Sequence, residues 1–408
     1  MTRTASATIY RNSALTWTDT RKIASFITPN ESTVSGFAAR VLSAAGTDTQ
    51  MQLSKRLFQA MRICDALGSY GITYVPDPDS PFSKALGKAE IVDTVRFPRT
   101  TLYNRTGDCD DSTALLSSLL ESAGIRTAIL TTPGHIFLAF DSGEPAENAV
   151  YLTAGAYEAM ARDGSAWIPV ETTILSQGFL AAWASGSDLV RKFEKTDSFE
   201  FIPVAGMRDA YPALPLPASP LVVAEPARSK VDGAYTATLL GFTDTLYTSR
   251  LAAMASSLAS LAGSPAAKLR VQQGILHALF GRLPDAETAF KKAIIDNPSM
   301  VAPYVNLANV RLLARDEDGA LQAVKQGLVR SSGSALLNLL AARIFSDRGD
   351  SAATATYFAA AQKLSPELSA RYAALVPAVA AKPGGSSSAV QRASQADAAA
   401  PVLWGADQ

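Results

Sequence analysis

Cys109 and His135 are the two residues best placed for covalent chemistry, because the 408-residue chain has only two cysteines and two histidines to choose from. Cys109 follows Gly107-Asp108 and opens an apolar stretch to Ser122 with helical spacing, which stops before Gly124. A thiol attacks carbonyls as its thiolate, and a helix start favours the thiolate through unpaired N–H groups and the helix dipole. Asp110 and Asp111 oppose that ionisation, so a nearby cation is required, and an imidazolium supplies one. His135 opens a strand after Thr131-Thr132-Pro133-Gly134. An imidazole acting as base needs a third group to fix its tautomer. Asp141 lies six residues further on, roughly 20 Å away at ~3.3 Å per residue along one strand. Glu171, in Trp167-Ile168-Pro169-Val170-Glu171-Thr172-Thr173, falls on a later strand that can return beside His135. The expected triad is therefore Cys109, His135 and Glu171. Asp108, Asp110 and Asp111 read as helix caps and dipole partners rather than as a metal cluster, and no cofactor or metal is expected.

Gly107-Asp108-Cys109-Asp110-Asp111, then a helix, then Pro133-Gly134-His135-Ile136-Phe137, then Trp167–Thr173 resembles the core of the transglutaminase-like superfamily over roughly residues 30–175. That resemblance implies a rearranged papain-like fold, with Cys109 as nucleophile, His135 as base and an acid on an adjacent strand. The family's third residue is usually Asp, and Glu171 is one methylene longer. The Cys109 backbone N–H is expected as one oxyanion donor. Tyr103 and Asn104, just upstream, are candidates for another. Members of the superfamily include cross-linking enzymes, peptidases and amidases.

The elements that must hold these residues read as α+β. Helical spacing covers Val34 to about Ala45 and Asp48 to about Gly68, with Asp48 as a candidate N-cap. Thr73–Pro81 reads as a loop. Strand character covers Arg126–Thr132, His135–Phe140, Ala149–Thr153 and Ala166–Thr172. Cys64 sits mid-helix and reads as core packing, as does His277. Residues 1–202 form the expected cysteine domain. Residues 203–232 are Pro-rich and read as a linker or strap, with helices resuming from about Tyr235 to Leu261.

Beyond that the chain repeats. Asn297, Ser331 and Ser365 are 34 residues apart, as are Gly281, Arg315 and Gly349. Small residues recur at Gly274, Ala308 and Ala342, and at Ala293, Gly327 and Ala361. Small residues let paired helices approach, which resembles tetratricopeptide repeats at 267–300, 301–334 and 335–368 within a helical region 233–375. Residues 376–408 are rich in Ala, Ser, Pro and Gly and are expected to be disordered.

Lys plus Arg equals Asp plus Glu, at 37 each, which gives no electrostatic case for a nucleic-acid partner. No apolar run is long enough for a membrane span. The N-terminus lacks an apolar signal core, which reads as cytoplasmic, or as extracytoplasmic if a leader is missing. The expected function is a cysteine acyl-transfer enzyme hydrolysing a peptide or peptide-like amide, with the repeats recruiting a protein. A non-enzymatic scaffold and a cross-linking acyltransferase are the alternatives.

Overall fold

A computed structural model describes residues 11–43, 51–77, 82–88, 91–370 and 372. It is α+β with a helical C-terminal region. Two compact units divide the described chain: one takes residues up to 43 and 53–249, the other 51–52 and 250 onward.

The first unit begins with β1 (Ala14–Leu15), α1 (Ser32–Ser43), α2 (Lys55–Tyr70), β2 (Thr73–Tyr74) and α3 (Phe82–Ala85). Then come β3 (Asp93–Thr94), α4 (Pro98–Asn104), β4 (Thr106–Gly107) and α5 (Cys109–Ser122). The sheet strands β5 (Thr127–Thr132), β6 (His135–Pro145), β7 (Met160–Arg162) and β8 (Ser165–Val170) follow. The unit continues with α6 (Phe179–Phe193), β9 (Glu200–Pro203), α7 (Val204–Met207) and α8 (Arg228–Phe242). Its main sheet is fully antiparallel, in the order β7-β8-β6-β5-β9.

Every residue of α5 from Cys109 to Leu120 is buried, as expected of a helix surrounded on all sides. It packs against α1, α4 and β6, so its N-terminus is fixed by the core rather than by a loop. On one sheet face Ala128, Leu130, Phe137, Ala139 and Trp167 pack with Val190 of α6. β5 and β6 form a tight hairpin in which Thr132 pairs with His135. Gly134 sits at its tip with φ 72°, a left-handed conformation that glycine adopts at no steric cost.

Three sequence expectations are corrected. The second helix starts at Lys55, capped by the Ser54 hydroxyl, which accepts from the Arg56 N–H; Asp48 lies outside the described residues. Ala149–Thr153 is not a strand. A 3-10 turn spans Ala146–Tyr151, held where Asn148 donates to Glu144 and the Thr153 hydroxyl donates to the Ala149 carbonyl. Helix also resumes earlier than Tyr235, at Arg228. The sheet further gains β9 on the free edge of β5.

Part of the Pro-rich segment is laid along the first unit. The Leu214 N–H donates to the Ser25 carbonyl, Tyr211 donates to Asp19, and Arg99 donates to the Pro217 carbonyl. Only one of these contacts uses a backbone N–H of the segment; the others use a hydroxyl and a carbonyl, groups that prolines leave intact.

The second unit carries three successive helix pairs: α10 (Gly263–Leu279) with α11 (Leu283–Asp296), α12 (Ala302–Leu313) with α13 (Glu317–Arg330), and α14 (Ala335–Asp347) with α15 (Ser351–Leu364), after α9 (Ser249–Leu258). The second helix of each pair begins and ends 34 residues after its predecessor. Gly281, Arg315 and Gly349 all have positive φ in the intervening turns. Thr354, where alanine recurs elsewhere, buries its hydroxyl by donating to the Asp350 carbonyl. Residues 376–408 lie outside the described residues. No helix among the described residues is long and apolar enough to cross a membrane.

Candidate functional site

The hairpin places His135, and the end of the return strand places Glu171. Leu138 pairs with Val170, the last residue of β8. Glu171 therefore does not lie on the strand, as the sequence suggested, but just past its end, as the N-cap of the 3-10 turn Thr172–Gln177, and its backbone N–H leaves the ladder to donate to the Ala182 carbonyl. From there its side chain reaches the imidazole: His135 Nε2 and Glu171 Oε2 are 2.6 Å apart. The imidazole stacks beside the Phe137 ring, with centroids 5.9 Å apart and planes 11° from parallel.

Glu171 is held at both oxygens. Oε1 accepts from the Thr173 backbone N–H at 2.9 Å and from its hydroxyl at 2.6 Å. Burial pulls this carboxyl upward, but the hydrogen bonds from His135 and Thr173 outweigh it and hold it below the usual glutamate range. The carboxylate thus fixes one imidazole nitrogen, Nε2, and leaves Nδ1 as the nitrogen free to take a proton.

Cys109 begins α5, and Asp108 caps the helix by accepting from the Asp111 N–H at 3.2 Å. Gly107 is required just before it: a Cβ there would meet the Asp111 Cβ at 2.7 Å. The Ile136 backbone N–H, one residue after His135, lies near enough to favour the Cys109 thiolate, which puts the thiol near the His135 end of β6. A second tie joins the other wall. The Thr113 hydroxyl donates to the Cys109 carbonyl at 2.6 Å and lies 2.9 Å from the Thr172 hydroxyl. Thr172 follows Glu171, so the helix start and the acid-bearing segment are locked together.

The electrostatics differ from what the helix dipole alone suggests. Burial first, then the Asp110 and Asp108 charges, push the Cys109 thiol well above its usual range, and the Ile136 N–H only partly offsets them. The resting residue is a thiol, not a preformed thiolate.

Asp110 is fully buried, and burial together with Asp108 raises it well above the carboxylate range. Neither Asp110 oxygen receives a hydrogen bond from an N–H or hydroxyl, and the neighbouring Asp108, Asp111 and Asp93 carboxylates all favour its protonated form. Asp111 is pushed up to about 7 by burial and then by Asp108, against the pull of Arg96, which donates to it from the backbone at 2.6 Å and pairs through its guanidinium at 3.2 Å. Asp108, Asp110 and Asp111 can bring one oxygen each within 4.8 Å of one another, the spacing of a hard-cation site. Asp108 is used by the helix cap and Asp111 by Arg96.

Tyr103 and Asn104 stand exposed at the C-terminal end of α4. Tyr74, which the sequence offered only as part of a loop, is nearer the chemistry. It pairs with Gly107 across β2 and β4, and β2 also packs against the 3-10 turn Thr172–Gln177. Burial, then the Cys109 and Asp108 charges, raise its phenol. Thr172 was legible within the segment that carries Glu171; nothing local marked Tyr74. Cys64 is fully buried in α2 and its thiol is raised by burial, and His277 is buried in α10 with its imidazole lowered by burial.

The arrangement offers a nucleophile, a base with a fixed tautomer, and a helix start able to receive developing negative charge. Compared with models of known protein families and with curated proteins, the chain matches none.

Proposed function

We propose that the first unit is a transglutaminase-like cysteine enzyme hydrolysing a peptide or peptide-like amide, with Cys109, His135 and Glu171 as its triad. The observation that carries this reading is the 2.6 Å contact between His135 Nε2 and Glu171 Oε2, at a hairpin whose next backbone N–H, that of Ile136, favours the Cys109 thiolate. A carboxylate fixed on one imidazole nitrogen beside a thiol at a helix start is the arrangement that acyl transfer needs.

Because the thiol is protonated at rest, its activation belongs to the attack itself. His135 Nδ1 takes the Cys109 proton as Sγ bonds to the carbonyl carbon. The negative charge on the carbonyl oxygen is received by the Cys109 backbone N–H at the helix start; Tyr103 and Asn104 are the sequence's candidates for a second donor. The imidazolium then gives its proton to the leaving amine, the C–N bond breaks, and a thioester remains. A water deprotonated by His135 attacks the thioester, and the thiolate leaves and recovers the proton. Glu171 stays ionised throughout and stabilises the imidazolium.

For the second unit, the 34-residue helix pairs support a tetratricopeptide-repeat reading, with recruitment of a protein or peptide as its role. Turnover of a fluorogenic peptide library tests the enzyme reading. Cys109→Ala is expected to abolish turnover while the circular dichroism spectrum is unchanged. Wild-type turnover in that variant would refute the assignment and favour a non-enzymatic scaffold. Adding a primary amine to the same assay separates hydrolysis from cross-linking, since only transfer yields an amine adduct.

A further inference from the structure

A pocket of the first unit, lined by none of Cys109, His135 and Glu171, lies among α2, the end of the 3-10 turn Thr172–Gln177, and α8. It encloses about 400 Å³. Asp65 and Thr238 form its buried floor, at 1% and 6% exposed, and Ser69, Ser176, Gln177 and Leu180 stand around it. Asp65 Oδ1 is used: it accepts from the Phe179 backbone N–H at 2.9 Å. Asp65 Oδ2 is buried and makes no hydrogen bond within the protein.

A buried carboxylate oxygen without a donor is costly, and such groups are retained where something else supplies the donor. Three features define what fits. The free group is an anionic acceptor, so the ligand brings a positive charge and N–H donors. The neighbouring hydroxyls and the Gln177 amide can accept from further N–H groups. The remaining lining from Leu180, Ala234 and Ala237 is apolar, and the volume greatly exceeds that of a bare ion, which calls for an alkyl body. Arg62, three residues earlier on α2, does not serve Asp65 as partner, because its guanidinium donates to the Val41 carbonyl and to Asp232.

We infer that this pocket is a binding site for an organic primary ammonium, with Asp65 as the counter-ion and Thr238, Ser69 and Gln177 as supporting polar groups. The acid is poised for such a role. Burial first raises its carboxyl to about 6, against the Phe179 hydrogen bond, the nearby Thr238 hydroxyl and the Arg62 charge. It is therefore mostly ionised at pH 7 and mostly protonated at pH 5. The other titratable groups near it do not change over that range. The Tyr235 phenol on α8 is pushed up to about 12 and the Cys64 thiol on α2 is raised well above its usual range, while Arg62 is a permanent cation. The turn that contributes Ser176 and Gln177 begins one residue after Glu171, so the pocket and the partner of His135 share one short segment.

Isothermal titration of the full chain with n-butylammonium chloride tests the site, with tetramethylammonium, sodium and calcium chlorides as comparisons. The expected result is saturable butylammonium binding that weakens about tenfold from pH 7 to pH 5, following the ionised fraction of a group near 6. Tetramethylammonium, which has no N–H donor, should not compete. Asp65→Asn should remove binding. So should Ala237→Leu, which fills the pocket from the exposed face of α8 and leaves Asp65 intact. Butylammonium binding unchanged in both variants, no binding to the wild-type chain, or a site saturated by calcium or sodium in place of the amine would each overturn the proposal. None of these readouts depends on Cys109.

Discussion

The two units of this chain solve the same problem, placing a few residues accurately, in opposite ways. In the second unit, residues 34 apart do the same job three times. Gly281, Arg315 and Gly349 turn the chain with positive φ, and Asn297, Ser331 and Ser365 end the second helix of each pair in extended conformation. In the first unit, the proposed triad comes from three different elements used once each: Cys109 from a helix start, His135 from a hairpin and Glu171 from the turn after β8, brought together by the sheet and by the contact between Thr113 and Thr172. Accuracy in the repeats comes from local geometry copied along the chain. In the candidate site it comes from long-range contacts that cannot be shifted independently.

This contrast predicts where each unit breaks. The largest effect should come from Glu171→Asp, the substitution that restores the residue usual in the family it resembles. Glu171 reaches His135 from just past the end of β8, and the shorter arm withdraws the carboxylate from Nε2. Peptide turnover is expected to fall about a hundredfold, the loss of one well-placed hydrogen bond to a developing charge. Full activity in the variant would show that the length of this arm does not set the contact.

In the second unit, Gly274 is the analogous close contact, since a Cβ there would lie 2.4 Å from the Phe290 ring. Gly274→Val is expected to destabilise the helix pair by about 1–3 kcal/mol by overpacking, read as a lower urea midpoint of the helical signal. An unchanged midpoint would mean that α10 and α11 do not need this approach. The smallest effect is expected at Arg315, which takes the turn conformation that Gly281 and Gly349 occupy at the equivalent positions. Arg315→Gly should stabilise by about 0.5–1 kcal/mol, because a left-handed conformation costs a side chain more than the entropy glycine loses. A destabilised variant would show that the Arg315 side chain contributes something the turn geometry does not reveal.

The same contrast explains what could be read from the residues. The repeat period was visible because the same requirement recurs, and the ends of α11, α13 and α15 keep it. The helix Cys109–Ser122 was legible because its cap, apolar run and terminating glycine are all local. The pairing of Glu171 with His135 was accessible because two strands and a polar spacing imply a return. The neighbourhood of Tyr74 was not, since its place beside Gly107 depends on a two-residue parallel pairing across more than thirty residues. The start of α2 was misplaced because Ser54 wins the cap with help from Glu144, which accepts from its backbone N–H at 2.5 Å across the fold. β9 escaped for a similar reason: an edge strand of four residues has little periodicity to show. The sign of the Cys109 shift was also not local. The helix start favours the thiolate, but burial and the flanking acids win, a balance set by how deeply α5 is embedded.

That balance gives the account its most direct test. If His135 removes the Cys109 proton, alkylation of Cys109 by iodoacetamide, followed by mass spectrometry of the intact chain, should depend on the imidazole. At pH 7 the wild-type rate is expected to exceed that of His135→Ala by about a hundredfold, with the variant recovering only as pH rises toward the raised thiol range. Cys64, buried in α2, should stay unlabelled in both and serves as the internal control. Equal Cys109 labelling rates in the two proteins across the neutral range would contradict the pairing of this thiol with this histidine.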